Sequence, residues 1–142
     1  MNNLFGALDV ANIAEFPDDG THEYVIKFPP KQITTSSGKA KLVIEFFLDD
    51  EESPFNGNKF PKWFNLPWID EGYSDPREFD AKATKAFQTL KDWLVSLGVP
   101  EDELASFDFA ELTGTRVQGY GFKRDKWNGT GSEYHLHNVK VI

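Results

Sequence analysis

Tyr24, Ile26 and Phe28 recur at every second position of HEYVIKFPPKQI (22–33), so one side of this stretch is apolar. The polar run TTSSGK turns the chain. AKLVIEFFLD (40–49) then returns with Leu42, Ile44, Phe46 and Leu48 on one face and Lys41, Val43, Glu45 and Phe47 on the other. Alternation on both sides of a turn predicts a β-hairpin, because successive side chains of a strand point to opposite faces. Val43 and Phe47 sit on the face that should meet solvent. Either the sheet is covered on both sides, or Phe47 belongs to a platform for a ligand. After the loop DDEESPFNGN, Asn56-Gly57 launches a third strand through KFPKWFNL (59–66). Pro61 lacks the N–H that a central strand would use, which predicts an edge or a bulge and leaves Lys62 and Trp63 near a rim.

The period then changes from two to between three and four. Phe79, Ala83, Ala86, Phe87, Leu90, Leu94 and Leu97 recur at helical spacing until Gly98 ends the pattern, with Asp75 as expected N-cap, Pro76 at the first helical position and Glu78 at the third. VPEDELASF predicts a further short helical turn. The end of the chain is extended again: GTRVQGYGFKRD (114–125), a loop KWNGTG, and SEYHLHNVKVI (132–142) form a second hairpin. Gly119 and Gly121 share one face of its first strand, which permits sharp coiling of a small barrel or close approach of another backbone. Three strands, a helix and two strands is the order of an OB-fold, an order that other small α+β folds share. The expected architecture is mainly β, an OB-fold-like five-stranded barrel with one helix between strands 3 and 4. Residues 22–142 would form this single domain behind an N-terminal extension at 1–21.

At 142 residues the chain suits one domain, and 13 Phe and 4 Trp supply a core with rings to spare. The absence of cysteine excludes disulfides, thiolate metal sites and cysteine nucleophiles. No basic start followed by an apolar run marks a signal peptide, and no stretch is apolar enough for a membrane span, so the expected location is a reducing cytoplasm with no membrane partner. The net charge of −8 is unevenly spread: residues 70–111 hold eleven acids against four bases, whereas 112–142 hold five bases against two acids. An acidic chain with a basic end can still meet a polyanion, because binding follows the local field.

DDGTHEYVIKF, TTSSGKAKLVIEFFL, FNL, LVSLGV, ELTGTRVQGYG and NGTGSEYHLHNVKVI, in this order and spacing, resemble a family of small phage-encoded proteins of unknown function. The likeness spans about residues 15–142. It implies an OB-fold, single-stranded DNA-binding-like protein acting among phage replication and recombination proteins, in the host cytoplasm. It carries over no binding or catalytic residue.

Chemistry has little footing. Nucleophile elbows, phosphate-binding Gly-Lys loops and HExxH are all missing, so neither an enzyme nor a cofactor is expected. The acids at 49–52 read as a solvated turn, and His135 and His137, two apart on a strand, as ordinary strand histidines; no metal is expected. Single-strand binding needs cations along a backbone path and rings on which bases stack. Arg116, Lys123, Arg124 and Lys126 supply charge in the terminal hairpin, while Tyr120, Phe122, Trp127 and Tyr134 supply rings. Arg116, Tyr120, Phe122 and Arg124 fall on one face, which is either a binding strip or the barrel interior. Trp127, in a polar loop, is hard to bury. Phe47, Trp63 and Lys62 form a second candidate surface. The expected function is non-catalytic binding of single-stranded DNA by a phage protein, with replication or recombination proteins or further copies of the chain as protein partners. The alternative is a protein-interaction or virion structural module on the same barrel.

Overall fold

The structure is a computed structural model that describes residues 14–142. Of the expected N-terminal extension, residues 1–13 lie outside the described residues. The elements are β1 (Gly20–Val25), β2 (Lys31–Thr34), β3 (Ala40–Leu48), β4 (Lys59–Asn65), α1 (Pro67–Asp70), α2 (Ala81–Ser96), β5 (Arg116–Asp125) and β6 (Ser132–Val141). Short 3-10 turns occupy Pro76–Glu78, Glu101–Ser106 and Phe109–Leu112. The six strands form one antiparallel sheet in the order β2-β3-β1-β5-β6, with β4 on the other side of β3.

Six strands replace the five expected, because the first one breaks. Pro29 and Pro30 have no N–H to give a ladder. β1 pairs with the end of β3 (Tyr24 opposite Leu48, Val25 opposite Phe47) and β2 with its start (Lys31 opposite Val43, Thr34 opposite Ala40). Five residues, 26–30, thus face three, 44–46, and the surplus bulges out. Ile26 turns to the segment before β5 instead, where its N–H donates to the Thr115 carbonyl and its own carbonyl accepts from Gly114. Phe28, expected on the apolar side with Tyr24 and Ile26, is half exposed in this bulge.

The helix also starts later than expected. Asp75 caps only the 3-10 turn at Pro76–Glu78, Phe79 is extended, and Asp80 caps α2 by accepting from the Ala83 N–H at 2.8 Å. Phe79 leaves the helix because its ring stacks on Trp68 at 5.9 Å and meets Phe87 at 5.8 Å. Gly98, at φ 95°, stops α2 where a side chain would strain the backbone.

Tyr24, Ile26, Ile44, Phe46, Leu48 and Val117 are completely or almost completely buried between the inner face of the sheet and α2, which contributes Leu90 and Leu94. Trp93 packs on Phe46 and Phe64. The sheet does not close. β4 and β6 run beside one another without a ladder, so among the described residues each keeps one free edge. Rings bridge the seam: Phe60 of β4 and Tyr134 of β6 lie 4.9 Å apart. Among the described residues, no helix is long and apolar enough to cross a membrane.

Candidate nucleic-acid interface

Alternation along β4 sends Phe60 and Phe64 into the core and leaves Lys59, Pro61 and Trp63 on the other face, with Trp63 49% exposed. Lys62 points inward at the free edge. Its ammonium lies over Trp93 at 5.3 Å and Phe64 at 5.9 Å, and burial lowers its pKa from the ordinary lysine range. The rings stabilise the charge that desolvation penalises.

Three clefts follow this strand. The first, of about 480 Å³, fills the seam between β4 and β6 and is lined by Lys59, Lys62, Trp63, Lys126, Tyr134 and His135 among others. A second, of about 300 Å³, lies between β4 and α2 and shares Lys62 and Trp63, adding Lys82 and Lys85. The third, of about 240 Å³, shares Asn65, Pro67 and Lys82 with the second and adds Lys39 and Lys41. Shared walls make them one path, carrying seven lysines and two acids, Glu133 and Asp70. Asp70 is already engaged, accepting from the Ala40 N–H at 2.7 Å. Glu45 draws Lys59 to 2.9 Å, so that lysine is partly neutralised. A chain of net charge −8 therefore presents a basic belt around a half-exposed tryptophan.

The residues expected in the terminal hairpin divide. Val117, Gly119 and Gly121 face inward, which puts Tyr120 and Phe122 on the outer face rather than in the interior. There each stands opposite a histidine of β6 and stacks on it: Tyr120 on His137 at 5.4 Å, Phe122 on His135 at 5.7 Å. The alternation of HLH carries the signal for this pairing, since it sets both imidazoles on one face. Arg116 is held by acids, Asp49 at 3.0 Å and Glu23 at 3.4 Å. Lys123 and Arg124 are exposed, Arg124 opposite Glu133. Trp127 is 96% exposed at the loop tip, and Lys126 beside it turns into the seam cleft.

Phe47 does not form an open platform. Phe28 packs edge-to-face on it at 5.7 Å and the Lys27 ammonium stands 5.0 Å above its ring. Of the ten residues expected to bind, the first cleft gathers Lys62, Trp63 and Lys126. Lys39, Lys41, Lys59, Lys82 and Lys85 escaped sequence reasoning. Lys82 and Lys85 lie in an acidic stretch but three apart, hence on one face of α2. Among the described residues, no group of three or more His, Cys, Asp or Glu side chains is placed to hold a metal. Compared with protein-family models and with the sequences of curated proteins, the chain matches none.

Proposed function

We propose that this protein binds single-stranded DNA without chemistry, along the belt that runs from the β4–β6 seam past Trp63 to Lys39 and Lys41. The observation that carries this reading is the continuity of three clefts with seven lysines around one half-exposed indole. Lysines meet phosphates as point charges and an indole face accepts a base of any sequence. Acid elsewhere repels the broad phosphate surface of a duplex, which favours a single strand.

Counting β1 and β2 as one strand broken at its prolines, the chain has the five-strand order of an OB-fold, in a barrel left open between the third and fifth strands. The belt then runs over the third strand of that order and between its first and last hairpin loops, the surface on which OB-folds receive oligonucleotides. Lys39 closes the first of these loops and Lys126 opens the last. The order of motifs in the sequence supports a phage protein acting in replication or recombination.

A protein-interaction or virion structural role is the second reading. The edges of β4 and β6, which pair with no strand among the described residues and so offer sites for strand addition, favour it. Titrating fluorescent oligo(dT) and a duplex of equal length at two salt concentrations decides between them. Single-strand affinity should exceed duplex affinity and fall steeply with salt, since each phosphate contact releases about 0.7 counterion. Equal affinities, or a flat salt dependence, would overturn the nucleic-acid reading.

A further inference from the structure

Away from the lysine belt, α2 and the 3-10 turns at Glu101–Ser106 and Phe109–Leu112 enclose a second cleft of about 480 Å³. Its floor and walls are apolar: Phe87, Leu90 and Leu94 from α2, Leu104, Ala105 and Phe109 from the turns. Phe87 is 40% exposed and Ala105 is exposed. The rim is acidic. Glu101 and Asp102 line it, residues 101–111 contain five acids and no base, and the one lysine in the lining, Lys91, is paired with Glu101.

We infer that this groove docks a basic amphipathic helix of a protein partner. Phe87, Leu90 and Leu94 form one side of the groove over two helical turns, a length of about 10 Å at 1.5 Å per residue. That matches a partner helix with apolar side chains at helical spacing, and Lys or Arg on its flanks would meet Asp102 and, in competition with Lys91, Glu101. Nucleic acid is repelled by the same rim. A second copy of this chain fits poorly, because it brings net charge −8 and its basic surface is a lysine belt, not an apolar stripe. At 100° per residue, Lys82 and Lys85 project from a different side of α2 than Leu90 and Leu94, so the belt and the groove can be occupied together.

The test uses two labelled peptides of about 18 residues and identical Leu and Lys content, one with its leucines in a helical stripe and one permuted to remove it. The full chain should bind the striped peptide at least about tenfold more tightly than the permuted one. Ala105→Arg, a change at an exposed position that fills the groove and adds a positive charge, should abolish this preference while leaving the melting temperature and oligo(dT) binding unchanged. Phe87→Ser should weaken the preference, and Lys82→Ala should leave it intact. Equal affinity for both peptides would mean that charge alone attracts them, and the inference fails. It fails equally if the preference survives Ala105→Arg. Sedimentation of the free chain covers the remaining occupant: a dimer that Ala105→Arg dissociates would assign the groove to a second copy instead. Because the peptide titration contains no DNA, its failure is separate from that of the nucleic-acid reading.

Discussion

The Tyr134 ring lies across Gly121, in the space that a Cβ on that residue would need. The absence of one side chain lets the ring reach Phe60 and fill the seam where β4 and β6 form no ladder. Gly121→Ala should displace Tyr134 and destabilise the fold by about 1–3 kcal/mol, the usual cost of overpacking. Urea unfolding measures it. A midpoint equal to that of the parent chain would mean that Tyr134 moves aside freely and does not hold the seam.

Lys62 keeps its charge half-buried over Trp93 and Phe64, and desolvation lowers its pKa. Between that lowered value and the ordinary lysine value of 10.5, the unfolded chain holds a proton that the folded chain has released. Unfolding then takes up a proton, so stability rises with pH across this window, and the cost of the buried charge is fully present below it. Lys62→Met should therefore raise the melting temperature at neutral pH. Its advantage should shrink as pH approaches 10.5. The same variant should bind oligo(dT) with a shallower salt dependence, by roughly one unit or less of slope. A variant less stable than the parent at neutral pH would show that the two ring contacts outweigh the desolvation.

Much of the architecture was legible because it rests on local periods. Alternation set the inner face of β3, and the stripe of Leu90 and Leu94 set the buried side of α2. In β5 alternation separated two faces but left open which one turns inward, and the fold turns Val117, Gly119 and Gly121 to the core. The break after Val25 was written in Pro29 and Pro30, whose missing N–H groups weigh more than the alternation that runs through them. The start of α2 was not legible. Asp75 and Asp80 are equally good caps in sequence, and the choice falls to Phe79, whose ring is drawn to Trp68, a residue of another element. The site follows the same division. Pro61 put Lys62 and Trp63 at a rim, whereas Lys126 read as part of a separate surface on the terminal hairpin, and the seam cleft joins the two. Lys39, Lys41, Lys82 and Lys85 come from segments far apart in the chain, and only the fold brings them together.

Charge on the belt and charge on the hairpin should behave differently toward salt. Arg116 is already compensated by Asp49 and Glu23, so Arg116→Ala should change the slope of log affinity against log salt little. Lys82→Ala and Lys85→Ala, at the belt, should each lower that slope by roughly one unit or less, one phosphate contact apiece. If Arg116→Ala lowers it more than either lysine change, the strand crosses the outer face of β5 instead.

Two tryptophans, Trp63 and Trp127, then report where the bases lie. Trp63 is half exposed between two basic clefts on the edge strand, with a face available and lysines on both sides. Trp127 is almost wholly exposed in the loop before β6, next to Lys126, which opens into the seam. A stacked base contributes about 1–3 kcal/mol, so Trp63→Ala should weaken oligo(dT) binding by that amount while leaving the unfolding midpoint nearly unchanged. Trp127→Ala should spare stability completely, because the ring contacts no core residue, and should weaken binding only of oligonucleotides long enough to extend from Trp63 past the seam. Titrating both variants with a short and a long oligo(dT) separates the two roles. Loss at Trp63 with either length, and at Trp127 with the long one alone, traces the strand along β4 and out over the last loop. Loss at Trp127 with the short oligonucleotide and none at Trp63 would move the primary contact to the terminal hairpin, with the stacked rings of Tyr120 and Phe122 as its platform.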